Sequence, residues 1–150
     1  MTQWGKKNVV EFYSNYRQTV KEMYESEISL LKKIPKKNIK SILDYGCAVG
    51  GFYNIFKNFF KNNRIIYFGL DYEKNVIDAA KKKFYKNKNL KFKIVKNNKI
   101  DLKSKKFSLT FSTGVLNHNK QYKRIIKQLI KLSDKYTFID SPRIHLGNDF

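Results

Sequence analysis

Between Ile42 and Phe52 the chain reads Ile-Leu-Asp-Tyr-Gly-Cys-Ala-Val-Gly-Gly-Phe, and nothing else in it restricts the fold as much. A short apolar run, Ile39 to Asp44, stops at a glycine-rich turn. Phe52, Ile55, Phe56, Phe59 and Phe60 then recur at helical spacing. A strand that turns on glycines directly into a helix is the first half of a βαβ unit. Glycine is needed there because the turn is tight and the backbone must come close to a ligand. The N–H groups at the start of such a helix also suit a polar or anionic group.

The alternation continues along the chain. Ile65 to Leu70 reads as a second strand, and Val76, Ile77, Ala80 and Phe84 mark a second helix. Leu90 to Val95 alternates with lysines, as an edge strand does when inserted charge blocks unwanted pairing. Phe107 to Ser112 is a fourth strand. Tyr122, Ile125, Ile126, Leu129, Ile130 and Leu132 form the apolar face of a third helix, opposite Lys123, Lys127 and Lys131, and Tyr136 to Asp140 is a fifth strand. Repeated βαβ units of this length imply a parallel sheet with right-handed crossovers. The expected fold is therefore α/β, a doubly wound, mostly parallel Rossmann-like sheet with helices on both faces.

Residues 1–38 have a different period. Val9, Phe12, Tyr13, Tyr16, Val20, Met23, Tyr24, Leu30, Leu31 and Ile34 predict one or two amphipathic helices ahead of Pro35. They form an N-terminal helical segment that packs on the core of residues 39–150, and 150 residues suit a single domain. No stretch reaches the roughly 20 apolar residues of a membrane span, and no apolar run behind Met1 resembles a signal peptide. Cys47 is the lone cysteine and cannot form an internal disulfide. These features predict a cytoplasmic protein. The net charge of +20 leaves two readings open. Either scattered lysines reflect a Lys-, Asn- and Ile-rich composition and a solvated face, or the charge supports non-specific nucleic-acid binding.

Two registers fit the glycine turn. Gly46, Ala48 and Gly51 match the dinucleotide pattern G-x-G-x-x-G/A loosely. Asp44, Gly46, Ala48 and Gly50 match an acid-x-G-x-G-x-G pattern, with Ala48 in place of the middle glycine. Asp44 separates them, because a carboxylate there suits a ligand with a cationic ammonium group. In this register Ile42 to Phe52 resembles motif I of the class I, S-adenosylmethionine-dependent methyltransferases. The resemblance spans roughly Ile39 to Pro142.

That resemblance implies S-adenosylmethionine as cofactor and S-adenosylhomocysteine as product. It places Asp44, Gly46, Cys47 (through its backbone), Ala48 and Gly50 in the cofactor loop. Asp71, at the end of the second strand, would hold the ribose, and Tyr72 would pack on the adenine. The competing role for Asp71 is to cap the following helix; its position and its spacing from the glycine turn favour the ribose. Asn97 or Asn98 would read the adenine, unless Lys96 to Lys99 is only an Asn-rich turn. The fourth strand leads through Thr113, a further cofactor contact, into a loop resembling motif IV. There Ser108 stands where an acid is usual, and His118 sits where a substrate-side base would. The other reading of His118 is a partly exposed residue with no chemistry.

Tyr13, Tyr16, Arg17 and Tyr24 are candidates to close over the cofactor, by cation–π contact or by pairing with its carboxylate. The alternative is that these tyrosines are core and Arg17 is surface. The chemistry implied is direct in-line attack on the methyl group, with no metal required. The acceptor expected is a small molecule, with a sugar or glycan precursor as one candidate class. An RNA or DNA methyltransferase, a truncated non-catalytic cofactor-binding module and, last, a nicotinamide enzyme are the alternatives. The chain ends soon after the fifth strand, so it is expected to be short at the C-terminus. That leaves the fifth strand a candidate edge for a homodimer. Ser141, Arg143 and His145 either touch substrate or form a tail.

Overall fold

The computed structural model describes residues 3–102 and 105–140; Ser141, Arg143 and His145 lie outside them. Five strands form the sheet: β1 (Ser41–Tyr45), β2 (Ile66–Asp71), β3 (Leu90–Ile94), β4 (Phe107–Thr113) and β5 (Ser133–Asp140). All pairings are parallel, in the order β3-β2-β1-β4-β5. Helices α3 (Phe52–Phe59), α4 (Lys74–Lys83) and α5 (Tyr122–Leu132) make three of the connections. Two more, α1 (Lys7–Asn15) and α2 (Glu25–Lys32), precede the sheet. This is the doubly wound α/β fold that the sequence predicts.

The parity of β1 shows how the sheet is covered. Ile42 packs with Tyr67, Leu109, Phe111 and the α3 side chains Phe52, Ile55 and Phe56 on one face. Leu43 and Tyr45 pack with Leu70 and the α5 side chains Ile125, Leu129 and Leu132 on the other. Burial on both faces explains why β1, β2 and β4 are almost continuously apolar. Phe56 and Phe111 are fully buried with their rings edge to face at 4.9 Å, each contributing about 2–3 kcal/mol. β3 keeps Leu90, Phe92 and Ile94 inward and leaves Lys91 and Lys93 exposed at one edge of the sheet. β5 is the other edge.

Two details differ from the sequence reading. β5 starts at Ser133, directly after α5, three residues before Tyr136. Tyr122 and Ile130 do not join the buried stripe of α5; they are 42% and 57% exposed, and the stripe is Ile125, Ile126, Leu129 and Leu132. A 3.6-residue period allows a stripe of limited width, and residues at its margin face water.

The N-terminal segment straddles the sheet. On the α4 side, Asn75 Nδ2 donates to the Gly5 carbonyl at 2.9 Å, and Lys83 Nζ donates to the Ser14 carbonyl and Gln18 Oε1 at 3.3 and 2.7 Å. On the other side, the Ser26 hydroxyl donates to Asp140 at the end of β5, at 2.9 Å. Between these anchors the loop after α1 rests on Gly51. A Cβ at Gly51 would lie 2.4 Å from Gln18 Nε2 and 2.5 Å from the Arg17 carbonyl oxygen. Gly51 has helical dihedrals, so alanine there would gain about 0.5–1 kcal/mol of backbone stability in isolation. The overlap with a backbone carbonyl outweighs that gain. Gly51→Ala is expected to cost about 1–2 kcal/mol net, read as a lower midpoint in urea. A higher midpoint would show that the segment does not sit there.

Candidate active site

The strand order reverses between β1 and β4, which is where open α/β sheets bind ligands. The carboxyl ends of these strands, the end of β2 and the N-terminal segment enclose a cavity of about 740 Å³. Gly46, Cys47 and Ala48 line it at the glycine turn, Asp71 and Tyr72 at the end of β2, and Thr113 to Val115 with His118 and Asn119 beyond the end of β4. Trp4, Phe12, Tyr13, Arg17 and Tyr24 roof it.

Gly46 adopts φ +84°, and a Cβ on it would lie 2.1 Å from Val115 Cγ2, so only glycine fits. Its N–H and that of Cys47 both donate to the Leu70 carbonyl, at 2.7 and 3.0 Å, which fastens the turn to β2. Ala48, at the family's middle-glycine position, takes φ +47°. A left-handed alanine costs roughly 1–2 kcal/mol. Its N–H is held by Asp71 Oδ2 at 3.0 Å. The other Asp71 oxygen accepts the Glu73 N–H at 3.1 Å. Asp71 therefore does bond the backbone at the start of α4, as the capping reading expects, while its carboxylate also lines the cavity. Burial pushes its pKa upward.

Tyr72 lines the cavity with its hydroxyl turned into a polar network. The hydroxyl bonds to the Tyr45 hydroxyl and donates to Asn98 Oδ1, while Asn119 Nδ2 donates to it at 2.6 Å. Asn119 also donates to Asn98 Oδ1 at 2.9 Å, and Gln128 Nε2 of α5 holds the Asn98 carbonyl at 2.8 Å. Four separate chain segments thus fix one ring. Asn97 and Asn98 do not line the cavity; both sit at positive φ in the turn behind Tyr72, and Asn119 takes the place facing the ligand space.

Asp44 and Gly50 also lie behind the surface. Asp44 is 2% exposed, and the Tyr67 hydroxyl donates to it. Burial pushes its pKa up to about 7, opposed by that hydrogen bond. Gly50 faces Phe92 and Phe84. The Cys47 thiol is buried under the loop, and burial holds its pKa well above the usual thiol range, so it is no nucleophile. Thr113 lines the cavity, as does the exposed His118, whose ring stands 5.6 Å from that of Trp4. Ser108 is remote from the site. It bonds Ser41 and the Lys40 N–H where β1 and β4 begin.

Tyr13, Arg17 and Tyr24 reach the cavity, whereas Tyr16 turns outward and stacks on Phe12 with ring centroids 4.9 Å apart. Arg17 lies over the rings of Tyr24 and Phe52 at 4.7 and 5.1 Å. It also pairs with Glu27 at 2.6 Å. Glu27 was not among the sequence candidates, yet it is fully buried and binds three partners: Arg17, the Thr113 hydroxyl and the Tyr24 N–H. The spacing of Tyr24 and Glu27, an acid three residues into a helix, was the available signal. Among the described residues, no three His, Cys, Asp or Glu side chains are grouped to hold a metal, and no helix is long and apolar enough to cross a membrane.

The glycine turn, the acid ending β2 and the sheet order have the arrangement of the class I methyltransferases. A family model described as a methyltransferase domain matches residues 36–145, and the chain belongs to that family. Its fold is also similar to solved structures. One is PKMT2 from Rickettsia typhi in complex with AdoHcy, with a TM-score of 0.61, 22% identity, and coverage of 81% of this chain and 25% of that one. Another is the plantazolicin methyltransferase BpumL in complex with SAH, with a TM-score of 0.67, 18% identity, and coverage of 91% and 55%. A third is a SAM-dependent methyltransferase from Aquifex aeolicus, with a TM-score of 0.60, 17% identity, and coverage of 71% and 57%. The chain therefore spans between a quarter and somewhat over half of these proteins. No curated protein sequence matches it.

Proposed function

We propose that this chain binds S-adenosylmethionine in the cavity and directs its methyl group to a small-molecule acceptor. The observation that carries the reading is that the Asp71 carboxylate, the Tyr72 ring and the glycine turn open into one roofed cavity. The donor set fits the cofactor. A partly buried carboxylate matches two ribose hydroxyls, an aromatic ring fixed through its hydroxyl matches adenine, and the turn presents Gly46, Cys47 and Ala48 to the cavity. When bound, the cofactor supplies an electrophilic methyl group on a sulfonium.

The chain's own part is mostly positioning. Asp71 and Tyr72 orient the nucleoside. Arg17, held by Glu27 and reaching the cavity, pairs with the cofactor carboxylate. Asp44 sets the charge of the glycine turn from behind, and Asn98 acts through Tyr72. Trp4, Phe12 and Tyr13 exclude water. His118 stands at the wall to take a proton from the acceptor's attacking atom. The roof favours a small acceptor over a polymer threaded through the site, and a sugar or glycan precursor is the class we favour. A reducing, cytoplasmic setting belongs to the same reading, supported by the single buried thiol.

Calorimetric titration with S-adenosylhomocysteine, with NAD as control, tests the cofactor. Micromolar binding of the nucleoside and none of NAD is expected. Failure to bind, or binding of NAD instead, would overturn the reading. Turnover on a panel of sugars and other small acceptors then separates an enzyme from a non-catalytic binding module.

A further inference from the structure

The chain's positive charge is unevenly distributed. From Ala79 to Ile100 there are nine lysines and no carboxylate, out of 32 Lys and Arg in the whole chain. All nine are exposed. None takes part in an ion pair; the pairs among the described residues are Lys7–Glu11, Arg17–Glu27 and Lys74–Asp78. The fold arranges them as one stripe. Lys81, Lys82 and Lys83 end α4, Lys86 and Lys88 follow in the turn, Lys91 and Lys93 project from β3, and Lys96 and Lys99 flank the Asn97–Asn98 turn. The stripe thus runs along the β3 edge of the sheet to the loop that holds Tyr72 at the cavity wall.

Aromatic surface lies within it. A groove of about 450 Å³ opens at this edge, lined by Phe68, Tyr85, Phe92, Lys81, Lys91 and Lys93. Tyr85 is 75% exposed, with Lys86 Nζ 5.5 Å from its ring centroid. An exposed aromatic ring beside a groove, set among unpaired cations, is the combination that holds a single strand. Lysines neutralise successive phosphates while bases stack on the ring. An anionic membrane would be met by several apolar side chains that insert, whereas here Phe68, Leu90 and Phe92 are recessed in the groove and Tyr85 is the exposed ring among its lining side chains.

We propose that the β3 edge and the end of α4 form a docking surface for single-stranded RNA. This rests on charge and shape alone and stands apart from the reading of the cavity. The test is fluorescence anisotropy with a labelled 20-nucleotide RNA of mixed sequence, across a salt series. Two triple variants remove equal charge: K86Q/K91Q/K93Q from the stripe and K123Q/K127Q/K131Q from α5. Loss of about tenfold or more in affinity, and a salt slope smaller by about 2, is expected for the first variant only. Tyr85→Ala is expected to lose about fivefold or more and Tyr85→Phe to keep binding. Unchanged unfolding midpoints establish that the variants are folded. Equal losses in both triple variants, or displacement of the RNA as readily by polyglutamate or phosphatidylserine vesicles, would overturn the proposal.

Discussion

Asp71→Ala is expected to lower affinity for S-adenosylhomocysteine by at least about 100-fold, because a carboxylate accepting two ribose hydroxyls makes two charge-assisted hydrogen bonds of about 1.5–3 kcal/mol each. The substitution also removes the acceptor for the Ala48 and Glu73 N–H groups. That loss loosens the turn and the start of α4, so stability should fall as well, by about 1–2 kcal/mol. The two effects separate experimentally. Calorimetry at a temperature where the variant remains folded reads binding, and urea unfolding reads stability. If Asp71 only caps α4, the midpoint drops while affinity per folded molecule is unchanged. Asp71→Asn sharpens the comparison. It keeps the size and one acceptor for the Glu73 N–H, so it should restore most of the stability and little of the binding.

Asp71 also shows what the sequence makes legible. Its place at the end of an apolar run, one helix after a glycine turn, follows from local pattern, and so does the order of strands and helices after Lys40. Each βαβ unit carries its own period, and right-handed crossovers leave few sheets to choose from. The lysine alternation of β3 marks an edge strand because a central strand could not bury Lys91 and Lys93. The side chains that fill the cavity were less legible. Asn98 is recognisable as a polar turn residue, but that it faces Tyr72 while Asn119 faces the cavity depends on two loops 21 residues apart. Asp44 reads as a ligand-facing acid, yet strand parity directs it toward Tyr67 and the α3 face. The roof was partly visible in its tyrosines. Trp4 carries no periodic signal, because it lies in a single 3-10 turn at Gln3–Gly5.

Glu27 is the residue whose removal should change the fold most. It is fully buried, and three donors from three places converge on it: the Arg17 guanidinium, the Thr113 hydroxyl at the end of β4 and the Tyr24 N–H that opens α2. Glu27→Ala leaves Arg17, itself only 17% exposed, without its counter-charge. Breaking a buried pair from one side costs about 3–5 kcal/mol, a large part of the 5–15 kcal/mol that holds a domain of this size. The loss should be local first. Glu27 ties the roof to the sheet, while Met23 and Leu31 on either side of it are anchored in the α3-face cluster and the α5-face cluster holds no residue of the N-terminal segment. The expected result is early release of the chain ahead of α2, seen as faster amide exchange in α1, with a later main transition closer to that of the parent. Trp4 is the only tryptophan, and its ring sits beside His118, so its fluorescence reports the release directly. Glu27→Gln keeps the shape and can still accept from Arg17 or Thr113, and should fall between the two. A single cooperative transition in Glu27→Ala, with Trp4 and the core unfolding together, would mean that the roof and the sheet are one folding unit.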